Sequence, residues 1–284
     1  MHIHRTIAEI RQFVRHFKAA GKTIGLVPTM GYFHEGHLAL MREAKKTCDV
    51  VVVSLYVNPL QFGPKEDLAQ YPRDFERDCT MARDVGVDAI FTPSDQEMYP
   101  QGFSTFSTFV EVTGLTARLC GQSRPGHFRG VTTVVTKLFN IVTPDRAFFG
   151  QKDAQQAIVI QRMARDLNMG LDVTILPTVR EKDGLAMSSR NVYLTGEQRR
   201  DALVLNRSLC TFRDAIQEGE RDAGRLRGMI MDMITAVPGA QPDYVEILAV
   251  PDLQPLETLQ GRVIAALAVR FGKTRLIDNI IVEV

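Results

Sequence analysis

A chain of 284 residues, 45% of them hydrophobic, can bury one large core or two smaller ones. Lys and Arg number 34 against 33 for Asp and Glu, a net charge of +1, which leaves no global field to recruit nucleic acid or an anionic membrane surface. The longest apolar stretch near the C-terminus, 263–269, is far short of the roughly 20 residues of a membrane helix, and residues 1–5 lack the apolar run of a signal peptide. The four cysteines, Cys48, Cys79, Cys120 and Cys210, are scattered without a Cys-x-x-Cys pair. They read as reduced thiols, neither a disulfide framework nor a zinc site. A soluble, cytoplasmic protein with no nucleic-acid partner and no membrane partner is expected.

In chain order, residues 6–20 carry apolar side chains at Ile7, Ile10, Val14 and Phe17 and stop at Gly21, which predicts a helix closed by a C-terminal glycine. Residues 23–27 read as a short buried strand, and helical spacing resumes at Leu38, Met41, Ala44 and Cys48. The run 50–57 is almost wholly apolar and β-branched, as a central parallel strand covered on both faces would be. A helix over 72–85 ending at Gly86, a strand at 89–91, a helix over 131–142, a strand at 147–149, a helix over 154–169 and a strand at 173–176 follow. This βαβ alternation predicts an α/β fold, a doubly wound parallel sheet whose ligands bind beyond the C-terminal strand ends. The pattern changes after about 179. Thr195 and Gln198 have capping-box spacing for a helix running towards Glu218, and a second helix ends near Pro238-Gly239. Residues 244–248 and 263–269 read as strands, and 271–274 as a turn into a final strand. We expect a Rossmann-like domain over 1–179 abutting a smaller α+β domain over 180–284.

The chemistry-bearing residues fall at the predicted strand ends. Pro28-Thr29-Met30-Gly31-Tyr32-Phe33-His34-Glu35-Gly36-His37 joins the first strand to a helix N-terminus, where unpaired amides and the helix dipole favour an anion. His34 and His37 add donors without fixed positive charge, which suits nucleotidyl transfer, where negative charge builds on an α-phosphate. A surface turn with two solvated histidines is the plainer reading of the same residues. After the next strand, Asn58 and Gln61 offer amides that donate and accept at once, as a hydroxy acid requires; a strand-ending Asx turn accounts for them equally well. Ser123-Arg124-Pro125-Gly126-His127-Phe128-Arg129-Gly130 either gathers phosphates or a carboxylate ahead of a helix, or is an ordinary basic loop. In Phe149-Gly150-Gln151-Lys152-Asp153-Ala154-Gln155-Gln156, Asp153 is placed to cap the following helix and Lys152 to neutralise phosphates, with Gln156 about a turn further on; a plain cap beside a solvated lysine is the other reading. Met187-Ser188-Ser189-Arg190 puts two hydroxyls and a guanidinium in a loop able to close over a triphosphate.

Taken together, the blocks 28–37, 57–62, 124–130 with 149–156, and 183–194, continuing into Thr274-Arg275-Leu276-Ile277-Asp278-Asn279, resemble the pantoate–β-alanine ligase family of the nucleotidyltransferase superfamily over essentially the whole chain. The loop 187–190 is similar to that family's counterpart of the Lys-Met-Ser-Lys-Ser loop of class I aminoacyl-tRNA synthetases.

The resemblance implies a two-step reaction with ATP as substrate. Pantoate carboxylate attacks the α-phosphate to give pantoyl adenylate and pyrophosphate; the amine of β-alanine then attacks the adenylate, giving pantothenate and AMP. It implies ATP binding by Met30, Gly31, His34, Gly36, His37, Gly150, Gln151, Lys152, Asp153, Val179, Met187, Ser188, Ser189 and Arg190. His34, His37 and Lys152 are the implied catalytic groups, Gln61 and Gln156 the implied pantoate contacts, and Gln61 also the β-alanine contact. Mg²⁺ would travel with the ATP phosphates, and no carboxylate cluster suggests a protein-only metal site. The family also implies a homodimer and a C-terminal domain that covers the site. Gln151, Ala154 and Leu60 depart from the acid, the aromatic and the methionine common in the family. Two other readings share the first motif: a nucleotidyltransferase that stops after nucleotidyl transfer, and a nucleotide-binding module without catalysis.

Overall fold

The structure, a computed structural model, describes residues 1–64 and 66–284. It divides into two compact units: Met1–Thr116 with Cys120–Gly150 and Gln155–Pro177, and Ala117–Leu119 with Gln151–Ala154 and Thr178–Val284.

Elements of the first unit run β1 (His2–His4), α1 (Ile7–Ala19), β2 (Ile24–Thr29), α2 (Glu35–Thr47), β3 (Val50–Leu55), α3 (Phe75–Val85), β4 (Ala89–Phe91), the short α4 (Asp95–Met98) and α5 (Cys120–Ser123), α6 (His127–Val142), β5 (Arg146–Gly150), α7 (Ala154–Asp166) and β6 (Asp172–Leu176). The strands form one six-stranded parallel sheet in the order β1-β4-β3-β2-β5-β6. Alternate residues along each strand project to opposite faces. Val27, Val51, Val53, Ile90 and Phe148 join Leu38, Met41, Ala44, Cys79 and Ala82 of α2 and α3 in one core layer. Helices α1 and α6 pack against each other, and α6 also meets β2. The expected doubly wound parallel sheet is present.

Its strands are held at their N-terminal ends by a repeated device. Asp49, Asp88 and Asp145 each immediately precede a strand, and each accepts an N–H from the start of the strand alongside. Asp49 takes Thr23 N at 2.9 Å, Asp88 takes Val51 N at 2.7 Å and Asp145 takes Ile24 N at 2.7 Å. Lys22, Lys45 and Lys18 stand beside the three carboxylates. Each Asp satisfies a donor that the sheet ladder leaves open, so it fixes register where the strands begin.

Several boundaries differ from the sequence reading for identifiable reasons. Strand β1, three residues at the sheet edge, carries no apolar alternation to announce it. Helix α3 begins at Phe75 and not at residue 72, because Asp74 caps it by accepting from Arg77 N. Helix α6 begins at His127, so His127 and Arg129 lie on the helix and not in the loop before it. Strand β3 stops at Leu55, ahead of the 3-10 turn Pro59–Gln61. A 3-10 turn, Gln151–Asp153, leads into α7, where a single capping residue was expected.

In the second unit come α8 (Gly196–Asp201), α9 (Leu203–Gln217), α10 (Ala223–Thr235) and the strands β7 (Ala240–Ala249), β8 (Arg262–Phe271) and β9 (Thr274–Glu283), antiparallel in that order. Thr195 and Gln198 form the expected capping box, but the helix it opens breaks at Ala202, and α9 restarts the run. Leu205, Leu209 and Phe212 of α9, Leu226, Ile230 and Ile234 of α10, and Val263, Ala265, Leu267, Val269 and Phe271 of β8 share one core. A two-residue turn with Gly272 at φ +60° closes the β8–β9 hairpin. Among the described residues, no helix is long and apolar enough to cross a membrane.

Candidate active site

The turn after β2 shows how local chemistry builds the candidate site. Gly31 at φ +86° and Tyr32 at φ +52° bend the chain sharply. A Cβ on Gly31 would lie 3.0 Å from Asp78 Oδ2, so the small residue is required by space as well as by conformation. Asp78, on α3 and 1% exposed, accepts Tyr32 N and Phe33 N, each at 2.7 Å, one on each carboxylate oxygen. Burial pushes its carboxyl above the ordinary value, more than the two N–H donors lower it. This clamp sets the backbone that carries the histidines. It escaped the sequence reading, although an acid at the buried register of α3, beside Cys79 and Ala82, was its trace.

His34 and His37 cap α2 reciprocally. His34 Nδ1 accepts Gly36 N at 3.2 Å, while His37 Nδ1 accepts His34 N at 3.2 Å. The arrangement is a capping box with imidazoles in both roles. Their ring centroids lie 4.1 Å apart. In both contacts the ring Nδ1 is the acceptor, which leaves Nε2 as the ring nitrogen able to carry a proton. One expectation is corrected here: the amides of His34 and Gly36 are not left unpaired for an anion. The rings take up those donors.

Gln61 is the end of a buried polar chain. Tyr99 Oη donates to Asn58 Oδ1 at 2.9 Å, Asn58 Nδ2 donates to Gln61 Oε1 at 3.3 Å and to Gly130 O at 3.1 Å, and Gln61 Nε2 lies 3.1 Å from Met30 Sδ. Asn58 is 1% and Gln61 8% exposed. Gly130 allows this packing, because a Cβ there would stand 2.3 Å from Leu60 O. The carbonyl of Gln61 accepts from Arg124 at 3.3 Å and lies 2.9 Å from His127 Nδ1. Arg124 also pairs with Glu66. Burial alone raises the Glu66 carboxyl, and Arg124, Gly63 N–H and His127 together more than offset it, so the group stays below its usual value. The guanidinium of Arg129 lies 3.7 Å from the Phe109 ring centroid. Both arginines of the 124–130 block therefore have partners within the unit.

Of the two adjacent glutamines on α7, Gln155 is buried and engaged with Leu115 O at 2.8 Å and Cys120 N at 3.0 Å. Gln156 is partly exposed. A cavity of about 870 Å³ lies past the ends of β2, β3 and β4, with Met30, Gly31, Tyr56, Phe62 and Asp95 in its wall.

In the second unit, Lys152 Nζ lies 3.7 Å from Asp153 Oδ1. Met187 N donates to Val179 O at 3.0 Å, and Ser188 caps a 3-10 helix over Ser189–Tyr193 by accepting Arg190 N at 3.2 Å. Arg180, Asp278 and Asn279, none of them singled out for a role from sequence, bond to these segments. Among the described residues, no three His, Cys, Asp or Glu side chains group to hold a metal ion.

Comparison with known proteins agrees across the chain. The family profile described as Pantoate-beta-alanine ligase matches residues 2–281. A pantothenate synthetase of Pelotomaculum thermopropionicum is 65% identical over 276 residues, 97% of each chain. The crystal structure of pantothenate synthetase from Thermus thermophilus superposes with a TM-score of 0.92 at 46% identity, covering 99% of both chains. A Francisella tularensis pantoate-beta-alanine ligase, complexed with beta-gamma ATP and beta-alanine, superposes at 0.79 with 32% identity, over 99% of this chain and 97% of that one. The chain belongs to the pantoate–β-alanine ligase family.

Proposed function

We propose that this enzyme joins pantoate to β-alanine with ATP through a pantoyl-adenylate intermediate. In the first step the pantoate carboxylate attacks the α-phosphorus and pyrophosphate leaves. In the second, the β-alanine nitrogen attacks the acyl carbon, loses a proton and expels AMP. Adenylation replaces a poor leaving group with a good one, and the intermediate must be shielded from water. ATP is bound by Met30, Gly31, His34, Gly36, His37, Gly150, Gln151, Lys152, Asp153, Val179, Met187, Ser188, Ser189 and Arg190. His34 and His37 donate from Nε2 to the phosphate oxygens as charge builds, and Lys152 supplies the fixed positive charge. Gln61 and Gln156 hold pantoate, and Gln61 also meets β-alanine. Their amides donate to the carboxylate and accept from the hydroxyls without adding charge. Mg²⁺ arrives with ATP and keeps phosphate oxygens and water as its ligands.

The single observation that carries this reading is the reciprocal histidine cap at the N-terminus of α2, which sets two imidazoles side by side. We further read residues 1–179 as the ATP- and pantoate-binding domain and 180–284 as the domain that carries the 187–190 loop. A homodimer working in the cytoplasm fits the family resemblance. The test is incubation of the pure protein with ATP, Mg²⁺, pantoate and β-alanine, with products identified by mass. Pantothenate, AMP and pyrophosphate are expected in equal amounts. ADP with inorganic phosphate would mean phosphoryl transfer and overturn the mechanism.

A further inference from the structure

The dipeptide Asp278-Asn279 lies midway along β9, which pairs with β8 from end to end. Both side chains are nearly buried, at 2% and 4% exposure. Neighbouring residues of a strand project to opposite faces, so one rigid position serves two different segments.

Asn279 holds the turn that carries Lys152. Its Nδ2 donates to Gln151 O at 2.8 Å and to Lys152 O at 3.0 Å, and its Oδ1 accepts from Gln151 Nε2 at 3.3 Å. Both amide hydrogens therefore go to successive carbonyls of one 3-10 turn. Asp278 holds the other segment. Its two oxygens receive Arg180 Nη1 and Nη2 at 2.6 and 3.0 Å, a two-pronged pair with a fixed plane. Arg180 also donates to Gly184 O at 3.1 Å, and its backbone bridges to Ala186. Val179 O, one residue earlier, accepts Met187 N. Asp278 Oδ1 further accepts Asn279 N at 2.8 Å, which locks the two anchors to each other.

We propose that Asp278 and Asn279 are positioning residues for ATP. From one point of β9 they set the turn Gln151–Asp153 and the segment 179–190, so that the nucleotide-binding groups of both are held in a fixed relation. The proposal rests on the reading of those groups as ATP contacts. A misplacement of about 1 Å in such a group typically costs on the order of a hundredfold.

Three variants test it in the full chain: Asn279→Ala, Asn279→Asp, which keeps the shape but sets oxygens against two carbonyls, and Asp278→Asn. The readouts are KM for ATP, pantoate and β-alanine, calorimetric binding of α,β-methylene-ATP without pantoate, and the thermal midpoint. Each variant should raise the KM for ATP and the analogue's Kd about 10- to 100-fold. KM for pantoate and for β-alanine should stay within about twofold, and Asn279→Asp should be worse than Asn279→Ala. Normal ATP dependence in a variant removes that residue from the positioning role. Equal weakening of all three substrates, or loss of the fold, makes the residue merely structural and overturns the proposal. A wild-type enzyme that forms no pantothenate would instead defeat the functional reading itself.

Discussion

His37 has two duties that chemistry can separate. Its Nδ1 satisfies His34 N in the cap of α2, and its Nε2–H is the donor assigned to the phosphate. Replacing it by Ala removes both. Loss of one preorganised donor typically slows the step it serves roughly 10²–10³-fold, and loss of a cap costs about 1 kcal/mol. Glutamine at the same helix position is the ordinary partner in a capping box, so His37→Gln should restore most of the stability while leaving adenylation slow. Single-turnover pyrophosphate release and thermal denaturation read the two effects. Near-normal adenylation in His37→Gln would show that the residue serves the helix alone.

The aspartates at the strand starts give the sheet a distinct response to acid. Thr23 N, the Thr23 hydroxyl and Lys22 together hold the Asp49 carboxyl down at about 2 from an ordinary 3.8. A folded-state value below the unfolded one contributes stability that is present above the unfolded value and lost as pH falls through the folded one. The wild type should therefore lose stability between about pH 4 and pH 2 partly through this group. An asparagine side chain cannot titrate, so Asp49→Asn should show a shallower fall of stability over that window and lower stability near neutrality. Urea midpoints measured across the window decide it; identical slopes would dismiss Asp49 as a contributor. The group lies at the opposite end of the strands from the candidate site, so activity of the folded variant should be close to wild type.

Over the whole chain, substrate binding and stability are linked. A ligand that binds only the folded chain, present at a hundred times its dissociation constant, adds about 2.7 kcal/mol. For a chain of 284 residues that is a midpoint rise of roughly 4–5 °C. MgATP should produce it in the wild type, and Lys152→Ala should shrink it. Scanning fluorimetry with and without nucleotide measures both. A midpoint indifferent to MgATP would contradict ATP binding by this chain. The core of the second unit is drawn from residue 185 onwards, yet that unit also takes in Gln151–Ala154 from earlier in the chain. Its apolar packing and the turn that carries Lys152 thus come from separate stretches of sequence.

Local regularities made much of the fold readable from the sequence. Val50–Leu55 announces a central strand because residues of both its faces are buried, and Thr195 with Gln198 announces a cap because three residues suffice to make one. The blocks 28–37 and 149–156 are legible as motifs for the same reason, since their chemistry is compressed into a few consecutive residues. Strand β1 was illegible because three residues at a sheet edge carry too little pattern, and the break at Ala202 because helical periodicity runs on through it. What holds the motifs in place depended on tertiary structure: Asp78 reaches back to Tyr32 and Phe33, Tyr99 to Asn58, and Asn279 to Gln151 and Lys152. A hydrogen bond needs its two atoms within about 3 Å, and whether residues far apart in sequence come that close is decided by strand order and register, which no local pattern encodes.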